Sequence, residues 1–159
     1  MPRSYFRFTL ILLFAVSGLA FAQQAMQPIK WNAYYSELND STGEILIKAN
    51  LEPNWHTYSQ VKLGNDGPLP TVFKFVKTVD YDLTGGVVEP DPIRIHSDVF
   101  DADVAMFSIE AIFTQKIHRN TKKSFEVLAE VECMMCNDSQ CLPPRITKFV
   151  IKVPQNELK

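Results

Sequence analysis

The stretch Phe125-Glu126-Val127-Leu128-Ala129-Glu130-Val131-Glu132-Cys133 decides the fold. Phe125, Val127, Ala129 and Val131 alternate with Glu126, Glu130 and Glu132. A period of two sends successive side chains to opposite faces of a strand, here apolar to one side and acidic to the other. The pattern recurs along the chain. In Glu44–Leu51, Ile45, Ile47, Ala49 and Leu51 share a face; in Ile146–Val153, Phe149, Ile151 and Val153 do so. In Val104–Thr114 the shared face is Ala105, Phe107, Ile109, Ala111 and Phe113, predicting one continuous strand. Trp31–Ser36, Trp55–Gln60 and Thr71–Val76 add further strands.

Turn chemistry separates these runs: Asn39 to Gly43, Gly64 to Pro68, Gly85-Gly86, and His118 to Lys123. No helical period of useful length appears after the first 22 residues. Seven or eight short strands joined by turns predict an all-β protein, an immunoglobulin-like antiparallel β-sandwich. Glu89–Asp103 breaks the alternation with Pro90, Pro92 and several charges, and reads as an irregular excursion where function can sit.

Residues 1–22 read as an address rather than as fold. Arg3 and Arg7 precede the apolar run Phe8–Val16, and Ala20-Phe21-Ala22 is a small-x-small cleavage site. The run is shorter than the roughly 20 residues a membrane span needs. The expectation is a secretory signal peptide cleaved after Ala22, an exported domain at 23–159, and an oxidising compartment in which paired thiols persist as disulfides. At 159 residues, with 46% hydrophobic and 21% charged residues, the chain is a single folded domain and not a disordered tail. Its net charge of −2 offers no basic excess to neutralise phosphates, so a nucleic-acid binder is excluded.

All three cysteines fall in Cys133-Met134-Met135-Cys136-Asn137-Asp138-Ser139-Gln140-Cys141-Leu142-Pro143-Pro144. Cys133 continues the apolar face of its strand and reads as a small core residue. Cys136 has the opposite parity. Asn137-Asp138-Ser139 is turn chemistry that can bring Cys136 and Cys141 within disulfide range, and Pro143 stiffens the chain just beyond. A six-residue ring restrains the unfolded chain by only about 2 kcal/mol, so it is a weak staple, and a surface turn is open to an attacking thiolate. Spacing alone leaves a structural and a redox-active disulfide both open. Cys-Met-Met-Cys also supplies soft donors for Cu(I), but neighbouring strand residues diverge and no histidine adjoins them. No metal site is therefore expected.

The segment Cys136 to Pro144, near the end of an exported β-rich domain, resembles the periplasmic N-terminal domain of the thiol:disulfide interchange protein DsbD, in its stand-alone single-domain form. The likeness extends over about residues 28–153. It implies a protein-disulfide reductase-type carrier with catalytic Cys136 and Cys141, Cys141 forming the mixed disulfide with partners. It implies no cofactor beyond the redox-active disulfide. Implied partners are a separate membrane or thioredoxin-like electron donor and thioredoxin-like periplasmic acceptors, of the disulfide-isomerase or cytochrome-maturation type. Trp55-His56-Thr57-Tyr58 resembles the family's aromatic strand, with His56 and Tyr58 facing the site. The loop Asp91–His96 resembles its cap, and alignment places Ile93 where the family carries an aromatic. Glu132 and Asp138 are expected to raise nearby thiol pKa values and Arg145 to lower them. The competing function is a non-catalytic exported β-sandwich, a binding or adaptor module whose disulfide only fixes a turn.

Overall fold

The computed structural model describes residues 26–64 and 67–156, which form ten β-strands. The expected signal peptide lies outside the described residues. In chain order the strands are β1 (Ile29–Asn39), β2 (Thr42–Leu51), β3 (His56–Tyr58), β4 (Val72–Phe75), β5 (Tyr81–Val88), β6 (Ile93–Ser97), β7 (Ala102–Ser108), β8 (Glu110–Arg119), β9 (Phe125–Cys136) and β10 (Cys141–Val153). One sheet runs β1-β2-β8-β5. The other runs β10-β9-β3-β7-β6, with β4 also paired to β9. Every pairing is antiparallel. The fold is the immunoglobulin-like sandwich that the alternation predicts.

The core lies where the inward faces of the two sheets meet. Ile45, Ile47, Ile117, Val127, Ala129 and Val131 are all at most 1% exposed. Phe113 is fully buried and gathers three rings, with centroids of Phe73, Phe107 and Trp31 at 4.8, 5.4 and 6.0 Å.

Val104–Thr114 is not one strand. It divides at Ile109 into β7 and β8, which belong to different sheets. Ile109 has φ of 69° and is 79% exposed, so it leaves the face shared by Ala105, Phe107, Ala111 and Phe113. A left-handed residue redirects the chain across the sandwich, and both halves still present their apolar side to one core. Gly85-Gly86 likewise is no turn. It sits inside β5, where the register against β8 shifts between Thr84 and Val88 and Gly85 takes φ of +69°, a bulge that glycine accommodates. The supposedly irregular Glu89–Asp103 contains β6 and the start of β7, paired from Ile93↔Met106 to Ser97↔Ala102.

Two contacts anchor the end of β3, the strand that lies between β9 and β7. Glu89, just ahead of β6, accepts hydrogen bonds from the Ser59 hydroxyl and from the Gln60 backbone N–H at 2.9 Å. The Thr71 hydroxyl donates to the Tyr58 carbonyl at 2.6 Å, holding the end of β3 from the other side.

Candidate functional site

β9 and β10 form a hairpin whose last facing residues are Cys136 and Cys141. They are joined as a disulfide, with Cα atoms 4.1 Å apart. The turn between them closes itself. Asn137 N–H donates to the Gln140 carbonyl, and the Asn137 side-chain oxygen accepts from the backbone N–H groups of Ser139 and Gln140, all at 2.9 Å. Asparagine suits such a turn because its short carboxamide reaches its own following backbone. Pro143 and Pro144 occupy the register shift between Leu142 and Arg145, on the outer strand of the sheet, where their missing N–H costs no interior ladder bond.

The two sulfurs have different surroundings. Cys136 is 1% exposed, packed with Tyr58 and Val104, whereas Cys141 is exposed. Both line an open groove of about 290 Å³. His56 and Tyr58 line it too, and so do Asp138 and, from the β6–β7 hairpin, Ile95 through Phe100. His56 stands opposite Cys136 in the β3–β9 ladder. Its Nε2 shares a 3.0 Å hydrogen bond with the Tyr58 hydroxyl, and Tyr58 meets the Phe100 ring edge to face at 6.0 Å. Burial pushes the Tyr58 phenol up to about 12, so it stays protonated. Burial lowers the His56 pKa from 6.5, and the negative charge of Asp138 opposes that shift in part.

Cys133 faces the core, 2% exposed, on the opposite side of β9 from Cys136. Burial pushes its thiol up to about 11; the Thr57 hydroxyl and the Trp31 indole N–H favour the thiolate, and the Glu132 carboxylate disfavours it. Met135 is buried on the same inner side, while Cys136 is committed to the disulfide. The donors of Cys-Met-Met-Cys therefore diverge, and the Cu(I) alternative has no convergent ligand set.

A family model described as the N-terminal part of the thiol:disulfide interchange protein DsbD matches residues 23–152. The chain belongs to the DsbD N-terminal domain family. Among solved structures, the Neisseria meningitidis DsbD N-terminal domain in the reduced form superposes with a TM-score of 0.53 at 12% identity, covering 78% of this chain and 86% of that one. The N-terminal periplasmic domain of ScsB from Proteus mirabilis gives a TM-score of 0.50 at 15% identity, covering 80% of this chain and 47% of that one. At such identities the likeness carries the fold. No curated protein matches the chain.

Within this DsbD-family domain, the residues singled out in the sequence divide into two groups. Cys136, Cys141, His56, Tyr58 and Asp138 come together at the groove. Asp91, Ile93 and Pro143 are not among its lining. Ile93 is fixed in β6 opposite Met106, 47% exposed, and Asp91 is an exposed residue ahead of that strand. The loop beside the disulfide is instead the turn after β6, and its aromatic is Phe100. The expected cap loop Asp91–His96 holds paired strand from Ile93 on, and this pairing moves the turn toward Phe100. A sequence signal existed: Phe100 is the one aromatic residue in Glu89–Asp103.

Proposed function

We propose that this domain is an exported thiol–disulfide carrier that passes electrons from a membrane or thioredoxin-like donor to thioredoxin-like acceptors through the Cys136–Cys141 pair. The observation that supports it most is the asymmetry of that pair: Cys141 is an exposed residue and Cys136 a buried one, and both line one groove. In the reducing direction the Cys141 thiolate attacks a partner disulfide, forming a mixed disulfide and releasing one partner thiolate. Cys136 then attacks Cys141, and the second partner sulfur leaves with its electron pair. Two thiols of the domain become one disulfide, and one partner disulfide becomes two thiols. The sulfurs themselves carry both electrons, so no cofactor is needed.

Family membership supports a periplasmic location and acceptors of the disulfide-isomerase or cytochrome-maturation type. Equilibration with glutathione buffers, with thiol labelling to identify the cysteines, tests the carrier reading. A potential of about −200 to −270 mV is expected of an exchanging pair, and one below about −300 mV marks an inert staple.

Phe100 suits the part that the family's cap aromatic plays. Phe100→Ala is expected to speed reduction of the disulfide by dithiothreitol about three- to tenfold, because attack depends on access to the sulfur. Ile93→Ala is expected to leave that rate alone. Stopped-flow measurement of both variants checks this, and a faster Ile93→Ala with an unaltered Phe100→Ala would return the shielding role to β6.

A further inference from the structure

We propose that His56 is the proton acceptor for Cys136, so that the two cysteines divide the exchange: Cys141 captures the partner unaided, and Cys136 resolves the mixed disulfide with His56 holding its proton. This rests on the carrier reading above and adds the group that makes its second step possible.

The need arises from burial. A thiolate is the attacking species, and an apolar surrounding disfavours it. Cys141 is exposed and escapes this penalty, but Cys136 is 1% exposed and packs against Tyr58 and Val104. A buried thiol that must attack needs a base beside it. His56 is the facing residue of Cys136 across β3 and β9, and side chains so placed stand about 4.5–5.5 Å apart at Cβ. Tyr58 is bonded to His56 Nε2, and its protonated hydroxyl can accept there. With Nε2–H donating to Tyr58, Nδ1 is left as the acceptor. The other groups around His56 are Ser108, its facing residue on β7, Asp138 in the hairpin turn, and His96 and Asp98 in the groove lining. Asp138 is the one whose charge favours the imidazolium.

The step balances as follows. In the mixed disulfide, the Cys136 thiol gives its proton to His56 Nδ1. The Cys136 thiolate attacks the Cys141 sulfur; the Cys136–Cys141 bond forms and the bond from Cys141 to the partner breaks. The partner sulfur leaves as a thiolate with the electron pair and takes the proton from the imidazolium. In the opposite direction the same ring protonates Cys136 as it leaves. His56 must be neutral to accept, and its lowered pKa keeps it so at neutral pH. Acidification through that pKa removes the base.

The test mixes the reduced domain with oxidised glutathione, quenches with acid and follows the Cys141–glutathione adduct by mass spectrometry. In the wild type the adduct is expected to be transient at pH 7 and longer-lived as acidification passes through the lowered His56 pKa. In His56→Gln its lifetime is expected to increase at least about tenfold at pH 7, with the acid dependence lost. Free imidazole is expected to shorten the adduct's lifetime in His56→Ala. Thermal melts confirm that each variant is folded, and Tyr58→Phe serves as a milder second variant expected to fall between wild type and His56→Gln. Folded variants whose adduct decays at the wild-type rate, or an adduct in His56→Ala that ignores imidazole, overturn the role of His56. A wild-type domain that forms neither adduct nor disulfide with glutathione overturns the carrier reading itself.

Discussion

Cys136→Ala is expected to trap a partner as a lasting mixed disulfide, and Cys141→Ala to trap nothing. Both variants should lose turnover by at least about a hundredfold, since neither can complete the two-step exchange. The reason they fail differently is positional. In Cys136→Ala the cysteine of the exposed position remains, able to reach a partner disulfide but lacking the neighbour that would release it. In Cys141→Ala the surviving sulfur is the buried one, behind Tyr58 and Val104. The check is non-reducing electrophoresis and mass spectrometry after incubation with a thioredoxin-like substrate. Capture by Cys141→Ala in place of Cys136→Ala would reverse the assignment of the two sulfurs.

Phe113→Ala is expected to cost the fold about 3–5 kcal/mol, the range for removing a fully buried aromatic. Phe113 is 0% exposed on β8, and its ring meets Trp31 of β1, Phe73 of β4 and Phe107 of β7. Because Phe73 and Phe107 lie in the opposite sheet, the cavity would open between the layers, where neither sheet can relax without losing its partner. Against a total stability of about 5–15 kcal/mol for a domain, the loss is a large share. The melting temperature should fall by about 15 °C. Urea unfolding followed by tryptophan fluorescence measures it, and a loss under about 1 kcal/mol would mean that the sheets are not held together at this residue.

The layering of this fold was legible because half-buried antiparallel strands carry their environment in their alternation. Val127, Ala129 and Val131 read as inward in the sequence and are inward in the sandwich. Parity also placed Cys133 and Cys136 on opposite sides of β9. What alternation cannot encode is a change of sheet. Ala105, Phe107, Ala111 and Phe113 keep one phase through Ile109 because both sheets face the same core, so the break leaves no mark in the pattern. β6 was hidden for a different reason. Ile93 to His96 are exposed and lie at the edge of the sheet, where burial imposes no alternation. Missing β6 shifted the loop by several residues and cost Phe100 its place in the site. The groove was legible at His56, Tyr58 and Asp138, and illegible in the turn after β6.

The facing of Cys136 and Cys141 on the last rung of their hairpin has a consequence for what a visiting protein encounters. The turn is tied by Asn137 and the strands by their own ladder, so the two sulfurs are neighbours whether or not they are bonded. On the carrier reading, severing the bond would free little chain, and the molecule would keep one silhouette when charged and when spent. Donor and acceptor would then meet nearly the same shape, and which way a pair of electrons moves is left to the relative appetites of the two visitors.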